Sequence, residues 1–70
     1  MTISDHKYVN FSEDYEMNYI LRKFEKSQSI QNRSELRIMG DELKKSLGTV
    51  MLTHAQFHPY VGKNLERLGD

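Results

Sequence analysis

The chain has 70 residues, with ten basic and ten acidic side chains, three histidines and no cysteine. A chain of this length forms one small domain, whose core typically supplies only about 3–5 kcal/mol. The lack of cysteine excludes disulfides and thiolate zinc sites. No apolar stretch approaches the roughly 20 residues of a membrane-spanning helix or the length of a signal peptide. We therefore expect a cytoplasmic protein that does not enter the membrane.

The charged side chains are unevenly distributed although the net charge is zero. Residues 1–19 hold one basic and four acidic side chains, whereas residues 20–37 hold five basic and two acidic ones. A protein that binds nucleic acid usually has a basic surplus, because phosphate neutralisation supplies most of the non-specific affinity. The separation of charge suits self-association or docking on a charged partner, and it equally fits two solvated helix faces.

Residues 1–11 are predicted to form a short extended N-terminal arm that packs its aromatic side chains on the helices, and residues 12–70 form the single domain. The first helix is predicted over residues 12–26, with Ser12 as its N-cap. Its apolar side chains recur at the i, i+3, i+4 and i+7 positions of one helical face. These are Met17, Ile20, Leu21 and Phe24.

A second helix is predicted to begin at a cap formed by either Asn32 or Ser34. Its apolar positions again repeat at intervals of three and four, at Leu36, Met39, Leu43 and Leu47. Gly40 lies inside this helix and costs about 1 kcal/mol relative to alanine, so we expect another helix to approach closely there. Gly48 is the expected left-handed residue that follows the helix end.

Two local signals agree on where the third helix begins. Thr53 and Gln56 match a capping box, and the apolar pair Leu52 and Phe57 has the spacing of a hydrophobic staple, so the helix should begin at His54. Pro59 either kinks this helix or ends a single turn before a fresh start. The apolar stripe then continues at Tyr60, Val61, Leu65 and Leu68, before Gly69. The prediction is an all-α fold: a small three-helix bundle with an extended N-terminal arm and a Pro-interrupted third helix.

His54 and His58 lie one helical turn apart, which is a spacing that two metal ligands use. The metalloprotease motif needs glutamate directly after the first histidine, and Ala55 stands there. His6 is the only other histidine, so a structural site would need carboxylates such as Asp5. We therefore expect no metal and no cofactor, and we interpret His54 and His58 as exposed residues of the helix start.

An enzyme is not expected, because the chain has no glycine-rich phosphate loop, no cysteine nucleophile and no Ser–His–Asp spacing. DNA binding through the basic segment 22–45 is the alternative function. A helix-turn-helix with Gly48 at its turn would place Lys44 where a small residue belongs. In this alternative the phosphate contacts come from Arg33, Arg37, Lys44 and Lys45.

The four tyrosines exceed what the apolar stripes can bury. Tyr15 and Tyr19 are four residues apart, beside the stripe of the first helix, with Glu16 and Arg22 as neighbours. Large rigid rings with a polar tip are typical of interface anchors, and they equally fit side chains that cover a small core with their hydroxyls in water. The leading prediction is a non-enzymatic regulator or adaptor that binds a partner protein or a second copy of itself. The interface candidates are Tyr8, Phe11, Tyr15 and Tyr19.

Overall fold

The computed structural model of the protein describes residues 7–70. Its three α-helices are α1 (Asp14–Lys23), α2 (Ile30–Leu47) and α3 (His54–Gly62), and a 3-10 helix, Leu65–Arg67, follows. No strand forms within this range, which confirms the predicted all-α fold with three helices. Residues 1–6 of the predicted arm, including Asp5 and His6, lie outside the described residues.

The three helices share one apolar core. The longest helix, α2, packs against both α1 and α3. The predicted stripes face inwards, with the exception of Leu47, which is 49% exposed because the stripe of α2 ends at Leu43. The buried apolar side chains are Val9, Met17, Ile20, Leu21, Leu36, Met39, Leu43, Leu52, Phe57, Val61 and Leu68.

The first helix is shorter than the predicted range 12–26. It begins with Glu13 in the N-cap position and has no side-chain cap, so the prediction of Ser12 as the cap is wrong. The Ser12 hydroxyl donates instead to Asn10 Oδ1 at 2.6 Å. The helix ends at Lys23, and Glu25 adopts a left-handed conformation with φ of 60°, which turns the chain away from the helix axis.

The second helix begins before the predicted caps. Ser29 is the N-cap, and its hydroxyl accepts a hydrogen bond from the backbone N–H of Asn32 at 3.1 Å. The side chain of Asn32 is buried, and it bonds both the N–H and the carbonyl of Gly69, at 2.8 and 2.7 Å. Its amide also donates to the carbonyl of Ser27 at 2.9 Å. Asn32 therefore joins the start of α2 to the segment that follows the 3-10 helix.

Of the two predictions about glycines in the α2 region, the one for Gly48 is confirmed and the one for Gly40 is correct only in part. Gly48 caps the helix with φ of 68°, as predicted. Gly40 is closely approached, but by the Phe11 ring and not by another helix: a Cβ there would lie 2.5 Å from Phe11 Cε1. The arm, which precedes all three helices, therefore occupies the space that the glycine leaves free.

The third helix begins at His54, as its local signals predicted. The Thr53 hydroxyl accepts from the backbone of Gln56 at 3.1 Å, and the Gln56 side chain accepts from the backbone of Thr53 at 2.9 Å. The helix continues through Pro59 as far as Gly62. The interruption of the third helical segment thus lies after Gly62, between α3 and the 3-10 helix, and not at the proline.

The described part of the arm is held against α2 and the start of α3. Val9 donates its N–H to the carbonyl of Leu52 at 2.9 Å, beside an isolated antiparallel bridge between Tyr8 and Thr53. Phe11 packs edge-on against Phe57, with ring centroids 5.0 Å apart. The expectation that the arm packs aromatic side chains on the helices is confirmed for Phe11.

Candidate functional site

A groove of about 660 Å³ lies between α1 and α3. Two helical faces form it, because α1 contributes residues spaced three and four apart and α3 contributes two residues one turn apart. The sequence presented the tyrosine pair and the histidine pair as separate features, and the fold brings them together. The lining residues are Tyr15, Glu16, Tyr19, Arg22, Lys23, His54 and His58.

The two tyrosines present their rings to solvent. Tyr15 is 68% exposed and Tyr19 is 53% exposed, whereas Met17 and Ile20 of the same helix are fully buried. Within residues 7–70, neither phenol hydroxyl makes a hydrogen bond to the protein, in contrast to Tyr60, whose hydroxyl donates to Glu42 at 2.8 Å. Both rings are therefore free to contact a ligand.

A chain of hydrogen bonds joins α1 and α3 across the groove. Lys23 Nζ lies 2.8 Å from His58 Nδ1, and His58 Nε2 lies 2.9 Å from His54 Nδ1. Because an ammonium group has only donors, His58 Nδ1 must accept, and His58 Nε2–H then donates to His54. His54 Nε2–H points towards Glu16, whose carboxylate oxygen is 3.7 Å away. This order requires that both imidazoles are neutral.

The surroundings of His58 oppose its protonation. Burial, the positive charge of Lys23 and the neighbouring His54 together lower its pKa from 6.5 to about 4, and burial is the largest of these causes. Both histidines are partly buried, so the interpretation of them as exposed residues of the helix start is wrong. Their exposure is reduced because His54 lies against Glu16 in the first turn of α1 and His58 lies against Lys23 at its end.

The histidine pair has little capacity left for ligands or for proton transfer. The acceptor nitrogen of each neutral ring already accepts a hydrogen bond, from Lys23 in one case and from His58 in the other. Among residues 7–70, no group of three or more His, Cys, Asp or Glu side chains is arranged to hold a metal ion. The pair contacts α1 through Lys23 and Glu16.

The other two interface candidates do not line the groove. Phe11 lies between Gly40 and Phe57, with Lys44 Nζ 4.7 Å from its ring centroid. Tyr8 lies in the bridge to Thr53 and is partly buried. Of the four predicted interface residues, the structure thus groups only Tyr15 and Tyr19.

The candidate phosphate contacts are mostly engaged in contacts within the protein. Arg37 donates to Asp14 Oδ1 at 2.8 Å and to the carbonyl of Phe11 at 2.6 Å. Arg33 donates to the carbonyl of Gln28 at 2.8 Å and lies 3.7 Å from Asp14. These contacts lower the pKa of Asp14, chiefly through the hydrogen bond from Arg37. The two arginines join α1 to α2.

The two lysines of that set are placed differently from the arginines. Lys44 lies over the Phe11 ring, and Lys45 is exposed near the end of α2. Arg33, Arg37, Lys44 and Lys45 therefore do not form one free cationic surface, because three of them have partners inside the protein.

Lys23 is a groove residue that the sequence reasoning did not select. The sequence contained a signal for it, since Lys23 follows Tyr19 by four residues and so shares its face of α1.

None of the helices in the described part of the chain is both long enough and apolar enough to cross a membrane. Comparison with protein-family models, with curated proteins and with solved structures finds no match to this chain.

Proposed function

We propose that the protein is a small, non-enzymatic, cytoplasmic adaptor or regulator that binds a segment of a partner protein in the groove between α1 and α3. The exposure of Tyr15 and Tyr19 carries this proposal. The other aromatic side chains of the helical domain, Phe24, Phe57 and Tyr60, belong to the core or pack against it. Tyrosine is enriched at protein interfaces because it offers a large ring at a low cost in conformational entropy.

The form of the groove supports a peptide ligand. Its volume of about 660 Å³ is within the range of roughly 300–1,000 Å³ that ligand sites occupy. The groove is open along two helices and does not enclose a cavity that would exclude water. Both histidine acceptor nitrogens are already bonded, so neither imidazole of the groove is free to act as a general base. Binding is therefore better supported than catalysis.

Binding of nucleic acid through the segment 22–45 has less support. Arg33 and Arg37 would have to leave Asp14 and the Phe11 carbonyl before they could contact phosphates. A second copy of the chain is the other occupant of the groove to test, and sedimentation equilibrium measures such self-association directly.

The test compares two exposed positions, one inside the groove and one outside it. Tyr19→Ala removes a ring from the groove, and Ile30→Ala is the control, since Ile30 is 71% exposed on α2 and does not line the groove. A partner isolated from the source cell with the wild-type protein should bind Tyr19→Ala roughly 30-fold more weakly, the effect of losing about 2 kcal/mol at an interface anchor. Binding to Ile30→Ala should be unchanged.

Far-UV circular dichroism and thermal unfolding verify that both variants remain folded. Equal affinity of Tyr19→Ala and the wild type for the partner would contradict the proposal. A loss of affinity in a Lys44→Gln, Lys45→Gln double variant, with Tyr19→Ala unaffected, would favour the nucleic-acid alternative.

A further inference from the structure

We infer that the segment bound in the groove is acidic, and that it places a carboxylate against Arg22 and Lys23 while an apolar side chain contacts Tyr15 and Tyr19. This inference rests on the proposed function and adds the chemistry of the partner to it. It is based on the charges of the groove and on how each of them is compensated.

Arg22 differs from the other arginines of the chain. Arg33 and Arg37 both face Asp14, and Arg67 pairs with two carboxylates of α2. Those two carboxylates belong to Glu35 and Glu42. Among residues 7–70, no carboxylate lies within 4 Å of the Arg22 guanidinium, and its side chain is exposed at the groove. With respect to the described residues, Arg22 thus keeps its charge uncompensated and its hydrogen-bond donors available for a ligand.

Lys23 carries a second positive charge that no carboxylate of the described chain neutralises. Its ammonium group contacts a neutral acceptor, His58 Nδ1, at 2.8 Å. This contact holds the ammonium in place without compensating its charge, as the lowered pKa of His58 also indicates. An ammonium group has three donors, so Lys23 can keep the histidine and still bind a ligand carboxylate.

Among the described residues, the only carboxylate that lines the groove lies apart from these cations. Glu16 precedes Lys23 by seven residues, which is about 10 Å along a helix. Its Oε1 atom accepts from the backbone N–H of Asn10 at 2.9 Å and faces His54. The groove is therefore negative near the start of α1 and positive near its end. A ligand with a carboxylate at the positive end and an apolar group in the middle complements it.

A protein segment fits this pattern better than a nucleic acid does. A nucleic-acid backbone carries a charge at every nucleotide, and it would meet Glu13 and Glu16 at the start of α1. A peptide carries charge only where its sequence places it, so it can keep carboxylates away from this end. Two cations beside two tyrosines also suit one or two carboxylates and an apolar neighbour.

The probe is a ten-residue peptide that contains five glutamates around one leucine and one phenylalanine. Its control has glutamine in place of each glutamate. Each peptide is titrated into the ¹⁵N-labelled full chain, and NMR shifts give the affinity and the site. We expect shifts at residues 15–23 and in the His58 ring, with the glutamine peptide about tenfold weaker, as two exposed charge pairs imply.

Two charge-matched double variants then locate the effect. Arg22→Gln with Lys23→Gln should lose about tenfold in affinity for the glutamate peptide and bind the glutamine peptide as the wild type does. Lys45→Gln with Lys63→Gln removes the same charge at exposed positions outside the groove, and should change both affinities less than twofold.

Several results would overturn the inference. These are equal affinity for the two peptides, an equal loss in both double variants, the absence of shifts in the groove, or tighter binding of a ten-nucleotide oligothymidine that depends on Arg22 and Lys23. The proposed function is tested separately, because a partner that requires Tyr19 but binds independently of Arg22 and Lys23 would preserve it while refuting an acidic ligand.

Discussion

Gly40 allows a sharp test of how the arm packs, because the expected effect of its substitution is opposite to the usual one. Alanine in place of glycine inside a helix ordinarily stabilises it by about 1 kcal/mol. At this position a Cβ would lie 2.5 and 2.6 Å from the Cε1 and Cζ atoms of the Phe11 ring. Phe57 supports that ring, and Arg37 binds the Phe11 carbonyl, so the ring cannot move without disturbing other contacts.

The magnitude follows from two opposing terms. Overpacking of this kind typically costs about 1–3 kcal/mol, and the gain in helix propensity offsets about 1 kcal/mol of it. We expect Gly40→Ala to lower the free energy of unfolding by about 1 kcal/mol, and the melting temperature by about 4–8 °C for a domain of this size. Urea titration followed by circular dichroism measures the first quantity, and the slope with denaturant should not change.

A double-mutant cycle with Phe11→Leu identifies the cause. Leucine lacks the two ring atoms that lie closest to the added Cβ, so Gly40→Ala should be stabilising in that background by up to about 1 kcal/mol. The coupling between the two positions is then about 2 kcal/mol. If Gly40→Ala stabilised the wild type as much as the Phe11→Leu variant, the packing of the arm on α2 would be refuted.

Two further predictions concern the buried asparagine and the histidine of the groove. Asn32→Ala removes the side chain that bonds the Ser27 carbonyl and both backbone groups of Gly69, and should cost about 2–3 kcal/mol in urea titration; a loss below about 0.5 kcal/mol would contradict the contact. His58 takes up a proton near pH 6.5 when unfolded and only near pH 4 when folded, so the unfolded state binds more protons between these values. Its contribution to stability is complete above pH 6.5 and is lost as the pH falls towards 4. His58→Gln should remove that part of the pH dependence, and an unchanged profile would exclude His58 as its origin.

The start of α3 could be predicted from the sequence because all of its determinants lie within a few residues. Thr53 and Gln56 cap each other, and Leu52 and Phe57 are both buried, as their spacing indicates. Asn32 shows the opposite case. It resembles a helix cap in the sequence, but its side chain bonds Gly69, 37 residues away, and no local pattern reveals such a partner.

The candidate site, too, could be predicted from the sequence only in part. The exposure of Tyr15 and Tyr19 follows from helical periodicity, because they lie beside a stripe that must be buried. Their meeting with His54 and His58 depends on which face of α1 is turned towards α3, and many residues of both helices decide this together. The sequence therefore predicted the members of the groove more successfully than the groove itself.

The contacts of Asn32 with Gly69 and of Val9 with Leu52 have a consequence for the rate of folding. Neighbouring helices in a simple bundle assemble through local contacts, which gives a low contact order and folding in microseconds to milliseconds. Here two hydrogen-bonded contacts join residues that are far apart in the sequence. The entropic cost of closing both loops arises before these hydrogen bonds form. The domain should therefore fold towards the slow end of the range for helical proteins of its length.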